Sequence, residues 1–528
     1  MYTTVVSLLS EIVAVSFPRF ACWSLCLVPV YLLLAAVVPP FDDELYYWCW
    51  SRDLQFSYYD HPPMVAYMIR IATELFGDSI VAIRLPAVLS AFVVMLVIGW
   101  LSRPRDLLPF VFLSPMLTFT AVMVTPDTPL LMFWALYLVW LVEMHQRLAS
   151  GVPRGSSPWS GRIEDHGEQP RGSHFAMWAL GGVILGCGVL GKYTTGLAVI
   201  AGFASFLLAG NPRRWIVGYT LQGVVAFLFA SPILIYNIER DFIPLRYQWG
   251  HSMSSPDPGL KMFGEFVGGQ MLLLGTVPFA VFVWALRNRR ELIADPRLRP
   301  IACLFVLPFA FFLLKATRGH LEGNWAFPCY LACWPLAAVW YARVRESAWW
   351  RWGIRSGFSL PIGATIFITA HLIEPLPLLP PSIDRAARQV VKVEIARDVA
   401  AELRSAGYTG PVYVMNYQWT ALLRWQGVDA RQIPGATRPS HFTQRDEPAV
   451  NPSSSVVFLE AASPIQGSSE VAGFGRTRAA SGYLMRVRGW DCTVCWLIDC
   501  SEKGVGIGRQ PVGVVAGRLD QSTPDGRR

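Results

Sequence analysis

Residues 21–38, ACWSLCLVPVYLLLAAVV, run through Pro39-Pro40 into Phe41-Asp42-Asp43-Glu44-Leu45-Tyr46-Tyr47-Trp48-Cys49-Trp50. The first run carries no charge and is close to the roughly 20 apolar residues that one crossing of a hydrocarbon layer needs. At its exit stand three carboxylates in a row, followed by four aromatic rings within five residues. A helix here places Asp43, Tyr47, Trp50 and Leu54 on one face. Such a helix lies in the membrane interface and holds an acid at headgroup depth beside its aromatic rings. The competing reading is that Asp42 and Asp43 cap the helix and complement its dipole.

Working outward, the whole chain has the same character. Its 528 residues are 53% hydrophobic and only 16% charged, too little charge to cover a soluble globule of that size. We read eleven spans, at 21–38, 80–101, 107–123, 128–144, 175–190, 194–209, 215–235, 267–286, 301–314, 325–341 and 358–373. The first is expected to stay as an uncleaved helix, because no convincing cleavage site follows it. The formal charge of +8 does not imply nucleic acid. Arg103 with Arg105, Arg147 to Arg171, Arg213 with Arg214, Arg287 to Arg299 and Arg343 to Arg355 fall on alternate loops, which the positive-inside rule makes cytoplasmic. The N-terminus is then cytoplasmic, and the other loops and the C-terminal segment face outward. Gly182 and Gly186 form a small-xxx-small pair suited to close helix packing.

The first outer loop continues with Tyr58-Tyr59-Asp60-His61-Pro62-Pro63 and a second amphipathic stretch, Met64 to Phe76. Asp60 and His61 precede its positive end, where capping and metal binding are both open. The division is a membrane domain at 1–374, a small α/β domain at 375–490 and a disordered tail at 491–528. Within the second part, a helix is expected from Asp384 to Ala406 and strands at Val412 to Tyr417, Ser455 to Leu459 and Tyr483 to Val487. Six cysteines (Cys22, Cys26, Cys187, Cys303, Cys329, Cys333) lie in or beside spans and read as small hydrophobes. Cys492, Cys495 and Cys500 give a weak zinc signal, and one disulfide with a thiol left over is the preferred reading.

The runs Asp43-Glu44-Leu45-Tyr46-Tyr47-Trp48, Tyr59-Asp60-His61-Pro62-Pro63-Met64 and Ala82-Ile83-Arg84-Leu85-Pro86 resemble the opening of the bacterial protein-mannosyltransferase-like glycosyltransferases. That group includes the lipid A aminoarabinose and galacturonic acid transferases. Thr125-Pro126-Asp127-Thr128-Pro129, Gly191-Lys192-Tyr193-Thr194, Pro232 to Asn237, Arg246-Tyr247-Gln248 with His251, and Asn324-Trp325 follow in the same order. The resemblance covers about residues 20–490. It implies an all-α GT-C fold in a bacterial inner membrane and inverting transfer of a sugar from a polyprenyl phosphate to a lipid, glycan or protein acceptor. The family shows one acid before the Glu, whereas this chain has both Asp42 and Asp43.

Such a transfer needs a base at the acceptor hydroxyl, a cation for the departing phosphate, and access from lipid. Asp43 is the candidate base, since the resemblance places the family's equivalent acid where the acceptor enters, with Glu44 orienting it. Asp127, in a short turn between spans, is a third catalytic candidate, weighed against plain turn formation. Lys192 and Arg84 are candidates for the donor phosphate, as point charge and fork, weighed against snorkelling. Asp42, Tyr47, His61 and Asn324 are substrate or loop candidates, and His320 is a weaker one. A divalent metal (Mg, Mn or Zn) bridging Asp60 and His251 is the cofactor expectation. Polysaccharide polymerases and ligases are the nearest alternative. A transporter or flippase of lipid-linked sugars is the rival class, but the ionisable residues gather on one face and no repeat is evident.

Overall fold

The computed structural model describes residues 19–150, 171–253, 260–319, 321–380, 384–444, 456–461, 479–487 and 490–501, with 505 and 507. The chain divides into two compact units, Met1–Ala35 with Leu54–Ile366, and Ala36–Asp53 with Phe367–Arg528. The division is thus not one cut in the sequence, because residues 36–53 belong with the C-terminal part.

The first unit is helical. In chain order its helices include α1 (Arg19–Val37), whose last two residues belong to the second unit, and, after α2 (Asp42–Arg52) of the second unit, α3 (Met64–Phe76) and α4 (Ile80–Leu101). Then come α5 (Leu108–Phe112), α6 (Pro115–Val122), α7 (Asp127–Ser150), α8 (Arg171–Gly191), α9 (Gly196–Ala209) and α10 (Ile216–Glu239). The series closes with α11 (Ile243–Met253), α12 (Leu260–Leu274), α13 (Val277–Arg287), α14 (Arg289–Ala294), α15 (Leu298–Ala316), α16 (Phe327–Val344), α17 (Ala348–Ser356) and α18 (Ser359–Ile373), the last crossing the boundary.

Among the described residues six helical stretches are long and apolar enough to cross a membrane: Phe20–Val37, Ile80–Leu101, Asp127–Ala149, Ile216–Glu239, Leu298–Ala316 and Ala348–Ile373. The chain is a multi-pass membrane protein. The other five expected spans take different forms. The segment at 267–286 is not one helix, because α12 and α13 meet at 104°. Gly275 turns the corner with φ +76°, and a Cβ there would lie 1.9 Å from the Gly357 carbonyl oxygen, so only glycine fits. The segment at 107–123 is split into α5 and α6, with Pro115 opening the second helix. Phe175–Gly191 and Tyr193–Ala209 are shorter apolar helices, and α16 has 18 residues.

Gly182 and Gly186 let α8 lie close against α10. A Cβ on Gly182 would come within 2.6 Å of the Gln222 carbonyl oxygen, and one on Gly186 within 2.4 Å of the Phe229 Cβ. Trp140, Trp178, Phe206 and Trp215 form an aromatic core beside this pair, with Trp140 edge-on to Trp178 at 5.3 Å and Phe206 stacked on Trp215 at 5.7 Å.

The second unit contains α2, α19 (Arg385–Ser405), α20 (Tyr417–Trp425) and a five-stranded sheet. Its strands are β1 (Val412–Val414), β2 (Ala430–Gln432), β3 (Val456–Ala461), β4 (Ala479–Val487) and β5 (Trp490–Asp499), in the order β2-β1-β3-β5-β4. The first three are parallel, and β5 runs antiparallel between β3 and β4. The expectation of a disordered tail from 491 therefore needs correction. Residues 491–499 form an inner strand, with Val456 opposite Asp499 and Tyr483 opposite Cys495. Of the rest of that tail, 502–504, 506 and 508–528 lie outside the described residues. The strand is irregular at 492, where the register with β4 shifts between Met485 and Arg486, and the side chain of Cys492 lies outside the described residues. Cys495 and Cys500 are free buried thiols.

α2 also differs from expectation. Tyr46 and Trp50 are 1% and 0% exposed and sit inside the second unit instead of facing headgroups. Tyr46 packs on Tyr417 at 4.6 Å and Phe442 at 5.2 Å, and its hydroxyl oxygen accepts the His441 backbone N–H at 2.7 Å. Burying these rings against other rings outweighs their preference for the interface. By contrast, α3 is amphipathic, with Val65, Ala66 and Ile69 buried and Ile71, Leu75 and Phe76 exposed.

Candidate functional site

In the second unit the N-terminus of α2 sorts its three carboxylates into distinct roles. Phe41 is extended, and its backbone N–H donates to Glu44 Oε2 at 3.1 Å, which fastens a fully buried Glu44 to the start of the helix. Asp42 accepts the Asp43 backbone N–H at 3.0 Å and pairs with Lys392 of α19 at 3.2 Å. Asp43 is exposed, and one of its oxygens accepts the Tyr417 hydroxyl at 2.9 Å. Burial, and then the charge of Asp43, push the Tyr417 phenol upward. It therefore stays protonated and remains a donor. The Arg438 guanidinium lies 4.3 Å from the Tyr417 ring centre. Tyr47 is buried, with its ring edge-on to Trp50 at 4.9 Å.

In the first unit three of the expected residues meet. The turn before α7 is fixed by the Thr125 N–H donating to Thr128 Oγ1 at 3.1 Å and the Asp127 N–H to Thr125 Oγ1 at 3.2 Å. That sets Asp127 in the first turn of α7, where the helix dipole favours an anion. Lys192 follows the end of α8, which approaches closely because Gly191 lies against Pro129 and the Leu130 nitrogen. Its Nζ reaches Asp127 Oδ1 at 2.7 Å, with side-chain exposures of 10% and 4%. Asn324 Nδ2 donates to Asp127 Oδ2 at 2.5 Å. The turn bearing Asn324 is in turn held by Gln270, which donates to the Gly323 carbonyl at 3.0 Å and accepts the Tyr330 hydroxyl at 2.8 Å. Both oxygens of Asp127 are thus occupied, and its charge is matched by Lys192. This geometry fixes the position of the Lys192 ammonium.

The loop before α3 is pinned to α11. Gln248 donates to the Asp60 backbone oxygen, and the Tyr59 and Tyr247 rings are 4.7 Å apart. Asp60 is 5% exposed, and the His61 carbonyl accepts the Tyr58 N–H at 3.2 Å. His251 stands on α11 one turn beyond Tyr247, but its side chain, like the whole of His320, lies outside the described residues. No group of three or more His, Cys, Asp or Glu side chains suited to a metal occurs among the described residues. Arg84 is 0% exposed, not at the surface, and donates to the Ala35 carbonyl at 3.0 Å.

The family model described as dolichyl-phosphate-mannose-protein mannosyltransferase matches residues 60–150. Lipid A galacturonosyltransferase RgtD of Rhizobium johnstonii is 26% identical over 387 residues, which are 70% of this chain and 73% of that protein. Crystal structures of ArnT from Cupriavidus metallidurans superpose over 91% of this chain. The apo form gives a TM-score of 0.59 at 14% identity, covering 98% of that chain. The form bound to undecaprenyl phosphate gives 0.57 at 15%, covering 97%. The chain has the GT-C fold of ArnT. The resemblance drawn from the sequence motifs is borne out.

Sequence reasoning singled out Asp43, Glu44, Asp127, Lys192 and Asn324 as candidates, but not Tyr417, Lys392 or Arg438, which contact Asp43, Asp42 and the Tyr417 ring respectively. No local spacing marks these three, whose partners stand 350 to 374 residues away for Lys392 and Tyr417.

Proposed function

We propose that the chain is a membrane glycosyltransferase that moves a sugar from a polyprenyl phosphate donor to a lipid acceptor of the lipid A type. The observation that carries this reading is similarity along most of the chain to a lipid A galacturonosyltransferase, joined to the fold of a protein crystallised with undecaprenyl phosphate. Asp43 takes the proton of the acceptor hydroxyl as its oxygen attacks the anomeric carbon. The bond from that carbon to the phosphate oxygen then breaks, with inversion. Glu44 fixes the helix that carries Asp43, and Asp42 is structural. Lys192 supplies the cation for the departing phosphate, with Asp127 and Asn324 holding it. His61 and Tyr47 belong to the substrate loops, and buried Arg84 supports the frame of the donor site.

The eleven-span reading, an inner-membrane location and an outward-facing reaction complete the proposal. A divalent metal would rest on Asp60 and His251, and no step above passes through it. Unchanged turnover of metal-stripped protein in chelator would remove the metal from the proposal.

Mass spectrometry of lipid A, surface glycans and glycoproteins from cells with and without the gene tests the function. Loss of one sugar from lipid A is the expected outcome. A change confined to glycans or proteins would move the acceptor class, and no change in any of them would overturn the reading.

A further inference from the structure

α17 reads Ala348-Trp349-Trp350-Arg351-Trp352-Gly353-Ile354-Arg355-Ser356. One side of it faces the protein, where Ile354 is 3% exposed and Trp350 lies edge-on to Trp340 at 5.8 Å. On the other side Trp349 and Trp352, three residues apart and so on one face, are 83% and 71% exposed. Indoles prefer the layer between hydrocarbon and water, and the stretch that α17 opens is longer than a crossing needs. Ala348–Ile373 counts 26 residues, broken at 357–358 between α17 and α18, whereas about 20 residues suffice to cross the hydrocarbon layer. α17 is the arginine-bearing end of this stretch, the end that reaches the headgroups.

The charges around these indoles are mostly positive. Residues 343–356 hold four arginines and one glutamate. Arg343 is engaged by Glu291, at 2.9 Å through Nη1, and Glu346 lies 3.8 Å from Arg345. Arg351 donates to the Arg345 carbonyl at 3.3 Å. Among the described residues neither Arg351 nor Arg355 has a carboxylate partner. Two guanidiniums beside a pair of outward indoles, at headgroup depth, complement a phosphate diester whose acyl chains lie alongside.

We propose that α17 is a docking site for an anionic phospholipid headgroup, its phosphate held by Arg351 and Arg355 and its surroundings filled by Trp349 and Trp352. The inference rests on the chain being a membrane protein and is independent of the sugar chemistry, so its failure leaves that reading untouched.

The test is native mass spectrometry of the purified full chain in detergent, with phosphatidylglycerol and phosphatidylcholine offered at equal concentration. The wild type is expected to retain phosphatidylglycerol preferentially. In R351Q/R355Q that retention should fall roughly 30-fold while phosphatidylcholine is unchanged. R351K/R355K should keep most of the preference, since a point charge still attracts the phosphate. Equal retention of both lipids by the wild type, or an undiminished preference in the glutamine variant, would overturn the proposal. So would a dimer that W349A/W352A abolishes while no lipid preference is seen.

Discussion

Asp43→Asn keeps the side chain's size and an oxygen for the Tyr417 hydroxyl, and removes only the basic site. If Asp43 is the base, turnover falls by about 100-fold to 10,000-fold while the circular dichroism spectrum and donor binding stay normal. Asp42→Asn weakens an ion pair with Lys392 worth about 1 kcal/mol at most, and turnover should stay within a few-fold of wild type. The opposite pattern would transfer the role one residue back. Lys192 needs a different design, because Lys192→Ala strands the Asp127 charge in a site only 4% exposed, at a cost of roughly 3–5 kcal/mol. In Lys192→Met with Asp127→Leu the melting temperature recovers, and use of the donor does not. Recovery of both would reduce the pair to a structural role. The acids and the lysine were legible because charge in an apolar setting is conspicuous. Tyr417 and Lys392 were not, since an ordinary tyrosine on a soluble-looking helix becomes relevant only when the chain folds back on it.

At the scale of elements, the close approach of α8 and α10 depends on two missing side chains. Gly186→Val drives a branched side chain toward Phe229 and the Ala226 carbonyl and should destabilise the protein by about 1–3 kcal/mol. Gly196→Ala, where nothing lies within 4 Å of an added Cβ, is the control. Its thermal unfolding midpoint in detergent should match or exceed the wild type, and equal losses in the two variants would show that the packing does not depend on Gly186. This glycine pair was readable from its spacing alone. The corner at Gly275 was not, because an apolar run reads the same whether straight or bent, and only φ distinguishes them. β5 escaped for another reason. The β-branched and aromatic residues in Thr493-Val494-Cys495-Trp496 are strand-like, but the cysteine spacing draws the reading toward metal or disulfide chemistry.

At the scale of the molecule, the proposed orientation is tested with reporters. Alkaline phosphatase fused after Arg214 should be inactive and fused near Pro411 active, since that enzyme needs the oxidising side to form its disulfides. Activity only at Arg214 would reverse the orientation of the chain. The arginine pattern makes orientation readable, whereas the assignment of residues 36–53 to the C-terminal unit is not readable, because it follows from ring packing between distant segments. That assignment also has a meaning in time. A ribosome adding roughly 5–20 residues per second needs about 20–75 s to make the 374 residues that separate Asp43 from Tyr417. Throughout that interval the nascent chain carries its acid without the phenol that holds it and without Phe442 over Tyr46. A polypeptide released between Ile373 and Tyr417 thus has its membrane helices but an acid without its phenol, and it leaves Tyr46 without the rings that cover it.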